Sequence, residues 1–255
     1  MFYRLRQVLS QWSVHCQAAL SLLDPRPKVA PDGLPLPPAG LRHLVAGTDD
    51  EKWFLRGGQA AVADFVSRVH GLERARVLDF GCGCGRVARA WNGRANISLS
   101  GVDTNSLAVR WCRKRLRFGD FRECSPAAPL PFPDCEFDFA YALSVLTHLS
   151  VPLQESSLRE LARVLKPTGI LAVSLHGSAS ARGLPLNLRN DFESGSIVVA
   201  VHGPQGSNLV SSFHPFERAM ELFSKHFALD SFEESGASGN PPQDLYFLRP
   251  RPVVA

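Results

Sequence analysis

The chain has 255 residues, of which 45% are hydrophobic and 20% charged, and a net charge of +4. This is an ordinary globular composition with enough apolar mass for a sizeable core, so a disordered or collagen-like chain is excluded. The charge is uneven: residues 1–120 hold 18 Lys/Arg against 10 Asp/Glu, and residues 121–255 hold 10 against 14, a balance that tolerates an anionic partner without requiring one.

Residues 1–23 place Leu5, Leu9, Trp12, Cys16 and Leu23 at helical spacing. Gln11, Ser13 and His15 interrupt the run, so it is weak as a secretion signal. An amphipathic helix packed on the main body, or on a second copy of the chain in a homo-oligomer, fits it better. Six prolines in residues 24–40 then predict an extended linker. The expected division is an amino-terminal extension over 1–40 and a main domain over 41–255. Within the main domain a helix is expected over 59–69. Strands are expected over 76–80, 97–102, 118–124, 136–142 and 169–175, with helices over 86–91, 105–117 and 154–165 between them. Such alternation predicts an α/β fold with a doubly wound parallel sheet. After Gly177 the chain turns polar, with a short strand over 197–201, a helix over 215–226, and strands over 227–232 and 244–248. No run of 18 apolar residues occurs, so no transmembrane segment is expected. The six cysteines show neither a disulfide framework nor a zinc spacing. They read as free thiols of a cytoplasmic protein without a metal.

The chemistry concentrates in Val77-Leu78-Asp79-Phe80-Gly81-Cys82-Gly83-Cys84-Gly85-Arg86. An apolar strand, a glycine loop and a helical pattern in that order form a nucleotide-type site at a strand's carboxyl end. Amides at the start of the helix would favour a carboxylate. A dinucleotide fingerprint would put its third small residue at position 86, where Arg86 stands, and this argues against a nicotinamide-dependent oxidoreductase. Asp79 suits a ligand carrying an ammonium group.

These residues resemble the Asp/Glu-x-Gly-x-Gly-x-Gly motif of the class I S-adenosylmethionine-dependent methyltransferases. Two further stretches resemble the same family: Leu130-Pro131-Phe132-Pro133-Asp134 leading into Phe137-Asp138, and Arg163-Val164-Leu165-Lys166-Pro167-Thr168-Gly169. The resemblance covers residues 55–177. It implies a Rossmann-like, seven-stranded methyltransferase sheet with an amino-terminal helical extension, S-adenosyl-L-methionine as cofactor, and methyl transfer to O, N or C of a small molecule. It implies cofactor contacts from Asp79, Gly81, Gly83 and Gly85. Asp103, 18 residues after Gly85 at the next strand end, would hold the ribose hydroxyls. Many relatives bind adenine through an Asp after the third strand; here Glu123-Cys124-Ser125 stands there, leaving Ser125, Glu123 or a backbone carbonyl for that contact. A binding protein of this fold without turnover is the alternative.

No catalytic group is evident. His148, followed by His176 and His214, is the candidate base, since histidine titrates near neutrality. Residues 41–58 and 178–240 fall outside the motifs and would cover the substrate. Asp138 and Tyr141 read as turn and packing residues. Arg110, Arg113, Lys114 and Arg117 lie at helical spacing, but without an interleaved aromatic motif they read as a solvated face, not a nucleic-acid surface.

Overall fold

A computed structural model describes residues 27–94, 96–125, 127–201, 210–239 and 241–252. The helix expected over 1–23, and the oligomer contact expected through it, lie outside the described residues.

Two helices precede the sheet, α1 (Ala39–Ala46) and α2 (Glu51–Arg68). Asp50 caps α2 by accepting from the amides of Lys52 and Trp53, which explains why the helix starts well before the residue at which the apolar pattern becomes regular. The strands that follow are β1 (Arg76–Phe80), β2 (Ser98–Asp103), β3 (Gly119–Glu123), β4 (Phe137–Ala142) and β5 (Leu165–Leu175). Helix α3 (Ser106–Arg115) joins β2 to β3, and α4 (Val151–Val164) joins β4 to β5. The short α5 (Ser178–Ala181) and α6 (Leu186–Glu193) lead to a separate antiparallel pair, β6 (Val198–Val201) and β7 (Val210–Phe213). Helix α7 (Phe216–Ser224) and strands β8 (Phe227–Glu233) and β9 (Asp244–Pro250) complete the described chain.

The main sheet has seven strands in the order β3-β2-β1-β4-β5-β9-β8. Strands β1 to β5 pair in parallel, and β9 runs antiparallel between β5 and β8. The chain winds outward from β1 and then returns to β4 on its other side. The carboxyl ends of β1 and β4 therefore flank the switch point where α/β sheets bind ligands. Both faces are covered. One core packs Phe65 of α2 against Phe139 and Tyr141 of β4; the other packs Leu158 and Leu161 of α4 and Phe223 of α7 against Leu78, Ala140 and Val173.

Three expectations change. The helix over 86–91 is only a short 3-10 turn, Ala88–Trp91, because Asn92-Gly93 breaks the chain at once and Gly93 takes a left-handed φ of 80°. No helix amino terminus of useful length therefore faces the loop. The proline-rich stretch is packed in its described part: Ala30 and Leu36 are buried, and Asp32 pairs with the buried Arg89 at 2.6 Å. The polar stretch after Gly177 contains α5, α6 and β7, which its composition did not signal.

Candidate active site

Asp79 stands near the carboxyl end of β1, on the face that carries Val77. The β1–β4 register places it opposite Tyr141. The Tyr141 hydroxyl and the Ala88 amide donate to its carboxylate, while Oδ2 is buried without a partner among the described residues. Burial lifts its pKa to about 7, against the lowering effect of the Tyr141 hydroxyl and the Arg86 guanidinium. Tyr141 thus packs, as its sequence context suggests, and also holds this acid.

Gly81, Gly83 and Gly85 all take left-handed φ, at 84°, 51° and 83°. Only glycine does so without strain, and a side chain at Gly81 or Gly83 would also collide with Val145 or with Val45 of α1. The loop amides are already engaged. Gly81 and Cys82 donate to the Val102 carbonyl at 2.8 and 2.9 Å, and Gly83 donates to Asp103 Oδ2 at 2.7 Å. Asp103 Oδ1 accepts from the Asn105 amide at 2.7 Å. The Thr104 amide is a third donor to Asp103, and the carboxylate keeps acceptor capacity for a further donor. Burial raises the Asp103 pKa.

Asp79 and Asp103 line one cavity of ≈ 310 Å³. Thr104, Asn105 and Cys124 line it beyond β2 and β3; Leu143, Val145, His148 and His176 line it beyond β4 and β5. From residues 41–58, Leu44, Val45, Gly47 and Trp53 cover it, whereas no described residue of 178–240 lines it. Ser125 is exposed and outside the lining. Its hydroxyl accepts from the Ala127 amide at 3.5 Å, and the neighbouring Cys124 faces the cavity instead. Gly83 and Gly85 shape the loop without lining the cavity, whereas Gly81 lines it.

Sequence reasoning missed Trp53, Arg86 and Gln243 as lining residues. Arg86 lies over the Trp53 ring at 5.1 Å and donates to the Gly239 carbonyl at 3.0 Å. Its misfit to the dinucleotide pattern was the only signal in the sequence. Gln243 bonds both Ser144 and Ser174, and no local pattern marks it. His214 is buried away from the lining, with Nε2 2.9 Å from Gln154 Oε1. Asp138 accepts from the Arg76 amide and pairs with Lys166, a structural role. Arg110, Arg113 and Lys114 of α3, and Arg117 just past its end, are exposed and outside the lining.

The donor set tests which ligand fits. Two carboxylates share one cavity, and one has an orphan oxygen. A bare buried carboxylate is costly, so the arrangement calls for a positive ligand group. A diphosphate meets charge of its own sign here, and the amides of Gly81, Cys82 and Gly83 are not free to cradle it. The residues fit the ammonium and ribose groups of S-adenosylmethionine.

The family described as "Methyltransferase domain" matches residues 78–173. A 27-O-demethylrifamycin SV methyltransferase of Amycolatopsis mediterranei (strain S699) is 31% identical over 160 residues, covering 60% of this chain and 58% of that protein. Methyltransferase GfsG of Streptomyces halstedii is 36% identical over 105 residues, 39% of this chain and 37% of that protein. The chain thus matches little more than half of the one relative and about a third of the other. Among solved structures, a Burkholderia thailandensis 1,6-didemethyltoxoflavin-N1-methyltransferase with bound S-adenosylhomocysteine superposes with a TM-score of 0.55. It is 17% identical, covers 78% of this chain and 79% of that one, and shares the fold.

Proposed function

The chain carries a class I S-adenosylmethionine-dependent methyltransferase domain, and on that premise we propose that it methylates an oxygen, nitrogen or carbon of a small molecule. The observation that carries this reading is the pair of carboxylates, buried Asp79 and half-buried Asp103, in one cavity. In the proposed roles the Asp79 carboxylate faces the cofactor's ammonium group, the loop Gly81–Gly85 lets the ligand lie close to the backbone, and Asp103 accepts from the ribose hydroxyls. Cys124 replaces Ser125 as the side chain nearest the adenine. When bound, the cofactor supplies a methyl group on a sulfonium, already an electrophile. The protein's own task is then to align an acceptor with that carbon and exclude water, which in well-oriented pairs is worth effective molarities of roughly 10⁵ M or more.

A small acceptor is favoured because the lining is walled by α1, α2 and the segment after β4, and because the basic residues of α3 point elsewhere. The main domain of this reading is 41–255. Residues 1–40 extend it, and residues 1–23 would serve packing or a homo-oligomer contact. We place the protein in the cytoplasm on its five described free cysteines; no described helix is long and apolar enough to cross a membrane.

The test is transfer of a labelled methyl group from S-adenosylmethionine to fractionated small molecules of the source cell. Label in a low-molecular-mass product is the expected result. Cofactor binding without any labelled product would instead make this a binding protein of the same fold.

A further inference from the structure

His148 and His176 both line the cavity, and one short strand fixes both rings. His148 follows β4 in the turn Leu146–His148, and its Nδ1 lies 2.6 Å from the Val210 carbonyl oxygen of β7. A carbonyl can only accept, so Nδ1 carries the proton and Nε2 presents a lone pair. His176, at the end of β5, bonds the backbone of Ser212 on the same strand, while its Nδ1 is buried and has no partner among the described residues. The frame behind them is tight. Gln154 of α4 is fully buried and donates to the carbonyls of Leu146 and Leu149 and to the Ser212 hydroxyl, at 2.9, 2.9 and 3.0 Å. His214 closes the frame through Gln154 Oε1. Burial lowers the pKa of His148, and it lowers that of His176 to about 4, so both rings are neutral at pH 7.

The rest of the lining on this side is mostly apolar, with Ser144, Ser157 and Gln243 as its neutral polar side chains. The charged side chains of the lining are Asp79, Asp103 and Arg86. The two carboxylates face the cofactor in the proposed reading, and Arg86 is held by Trp53, Gly239 and the field of Asp79. A protonated amine would find no counter-charge left for it, and neither would a carboxylate or phosphate acceptor. A neutral group that donates a hydrogen bond would find the Nε2 lone pair of His148.

Resting on the methyltransferase reading, we infer that the methyl acceptor is an uncharged hydroxyl compound with an apolar body, and that His148 Nε2 takes its proton. The hydroxyl oxygen forms its bond to the transferred carbon as the carbon–sulfur bond breaks, with that electron pair staying on sulfur. The hydroxyl proton ends on Nε2, giving an imidazolium that later returns it to water. His176, neutral and held on the Ser212 backbone, packs beside this base and leaves no charge on that wall. Gln154 and β7 are positioning groups that act through His148.

The test uses the full chain and three probes of one shape: 2-naphthol, 2-naphthylmethylamine and 2-naphthoate. Binding of S-adenosylhomocysteine is measured first. Its absence would sink the methyltransferase reading itself, and the acceptor inference falls with it. With that binding present, methyl transfer to the oxygen of 2-naphthol is expected, at least tenfold faster than to the amine or the carboxylate. The substitution His148→Gln should lower kcat by about 10²–10⁴-fold, the usual worth of a positioned base, with S-adenosylhomocysteine affinity unchanged. The wild-type pH–rate profile should fall on its acid side with an apparent pKa below 6.5. That measurement needs no variant and stands even if His148→Gln misfolds. A preference for the amine or carboxylate, no transfer to 2-naphthol from cofactor-loaded protein, or a folded His148→Gln with normal kcat would each overturn the inference.

Discussion

Asp79 is held by a tyrosine hydroxyl and a backbone amide on one side and, among the described residues, has no hydrogen-bond partner on the other. With a pKa of about 7 it is half protonated at neutral pH, and only its ionised form attracts an ammonium group. Affinity for S-adenosylhomocysteine should therefore rise by roughly tenfold from pH 6 to pH 8, as the ionised fraction grows from about a tenth to about nine tenths. Titration calorimetry at the two values measures this, and a flat profile would remove Asp79 from the ammonium contact. Asp103 is expected to behave differently, because it acts through both oxygens on hydroxyl donors. Asp103→Ala should weaken cofactor binding by about 1.5–3 kcal/mol, the worth of hydrogen bonds to a charged group. It also releases the Gly83 amide, so circular dichroism of the variant should accompany the affinity measurement. An unchanged affinity would leave Asp103 as a loop-holding residue only.

At the scale of elements, α2 and the glycine loop are built around contacts that no side chain can enter. A Cβ on Gly58 would overlap the Arg86 carbonyl oxygen, and Gly57 backs directly onto the Gly239 carbonyl. Gly58→Ala should thus destabilise the fold by about 1–3 kcal/mol, in the range of overpacking, although alanine is the better helix former. Urea unfolding checks the sign: a stabilised variant would contradict this packing. The same elements show what was legible beforehand. Strands β1, β2 and β4 announce themselves because each is a short apolar run ending in a loop signal. Helix α2 was found only from residue 59, since Gly57 and Gly58 read as poor helix formers until their close approach to the loop is seen. Strand β7 was missed because Val210-Ser211-Ser212-Phe213 is too short and polar to stand out, and it is ordered by partners far away in sequence, at His148, Gln154 and His176. Local spacing singled out Asp79 and Asp103, and both line the cavity. Ser125 does not line it and Cys124 does, because which of the two faces the cavity depends on where the strand ends.

For the whole molecule, opposing titrations govern the response to acid. His176 and His214 are neutral in the fold, lowered to about 4 and about 3, whereas in the unfolded chain they charge near 6.5. The unfolded state then binds more protons below pH 6.5, so this stability is lost as pH falls from there toward the folded values. Asp79 works the other way: it keeps its proton in the fold up to about 7 and releases it near 3.9 when unfolded, so it favours the fold as pH falls through that window. Asp103 and Asp244, also raised, act with Asp79, and His148 and His226, also lowered, act with the other two histidines; the four histidines outweigh the three acids, and Tm is expected to be lower at pH 5 than at pH 7. Bound cofactor should steepen the difference, because an ammonium partner keeps Asp79 ionised and cancels its gain.

The central claim is that the two carboxylates and the glycine loop form a site for S-adenosylmethionine and not for a dinucleotide. Calorimetry of the folded chain with S-adenosylmethionine, S-adenosylhomocysteine and NAD in parallel tests it most directly. The account predicts one-to-one binding of both sulfur ligands in the micromolar range and little or no heat with NAD. Binding of NAD with no heat from either sulfur ligand would contradict it.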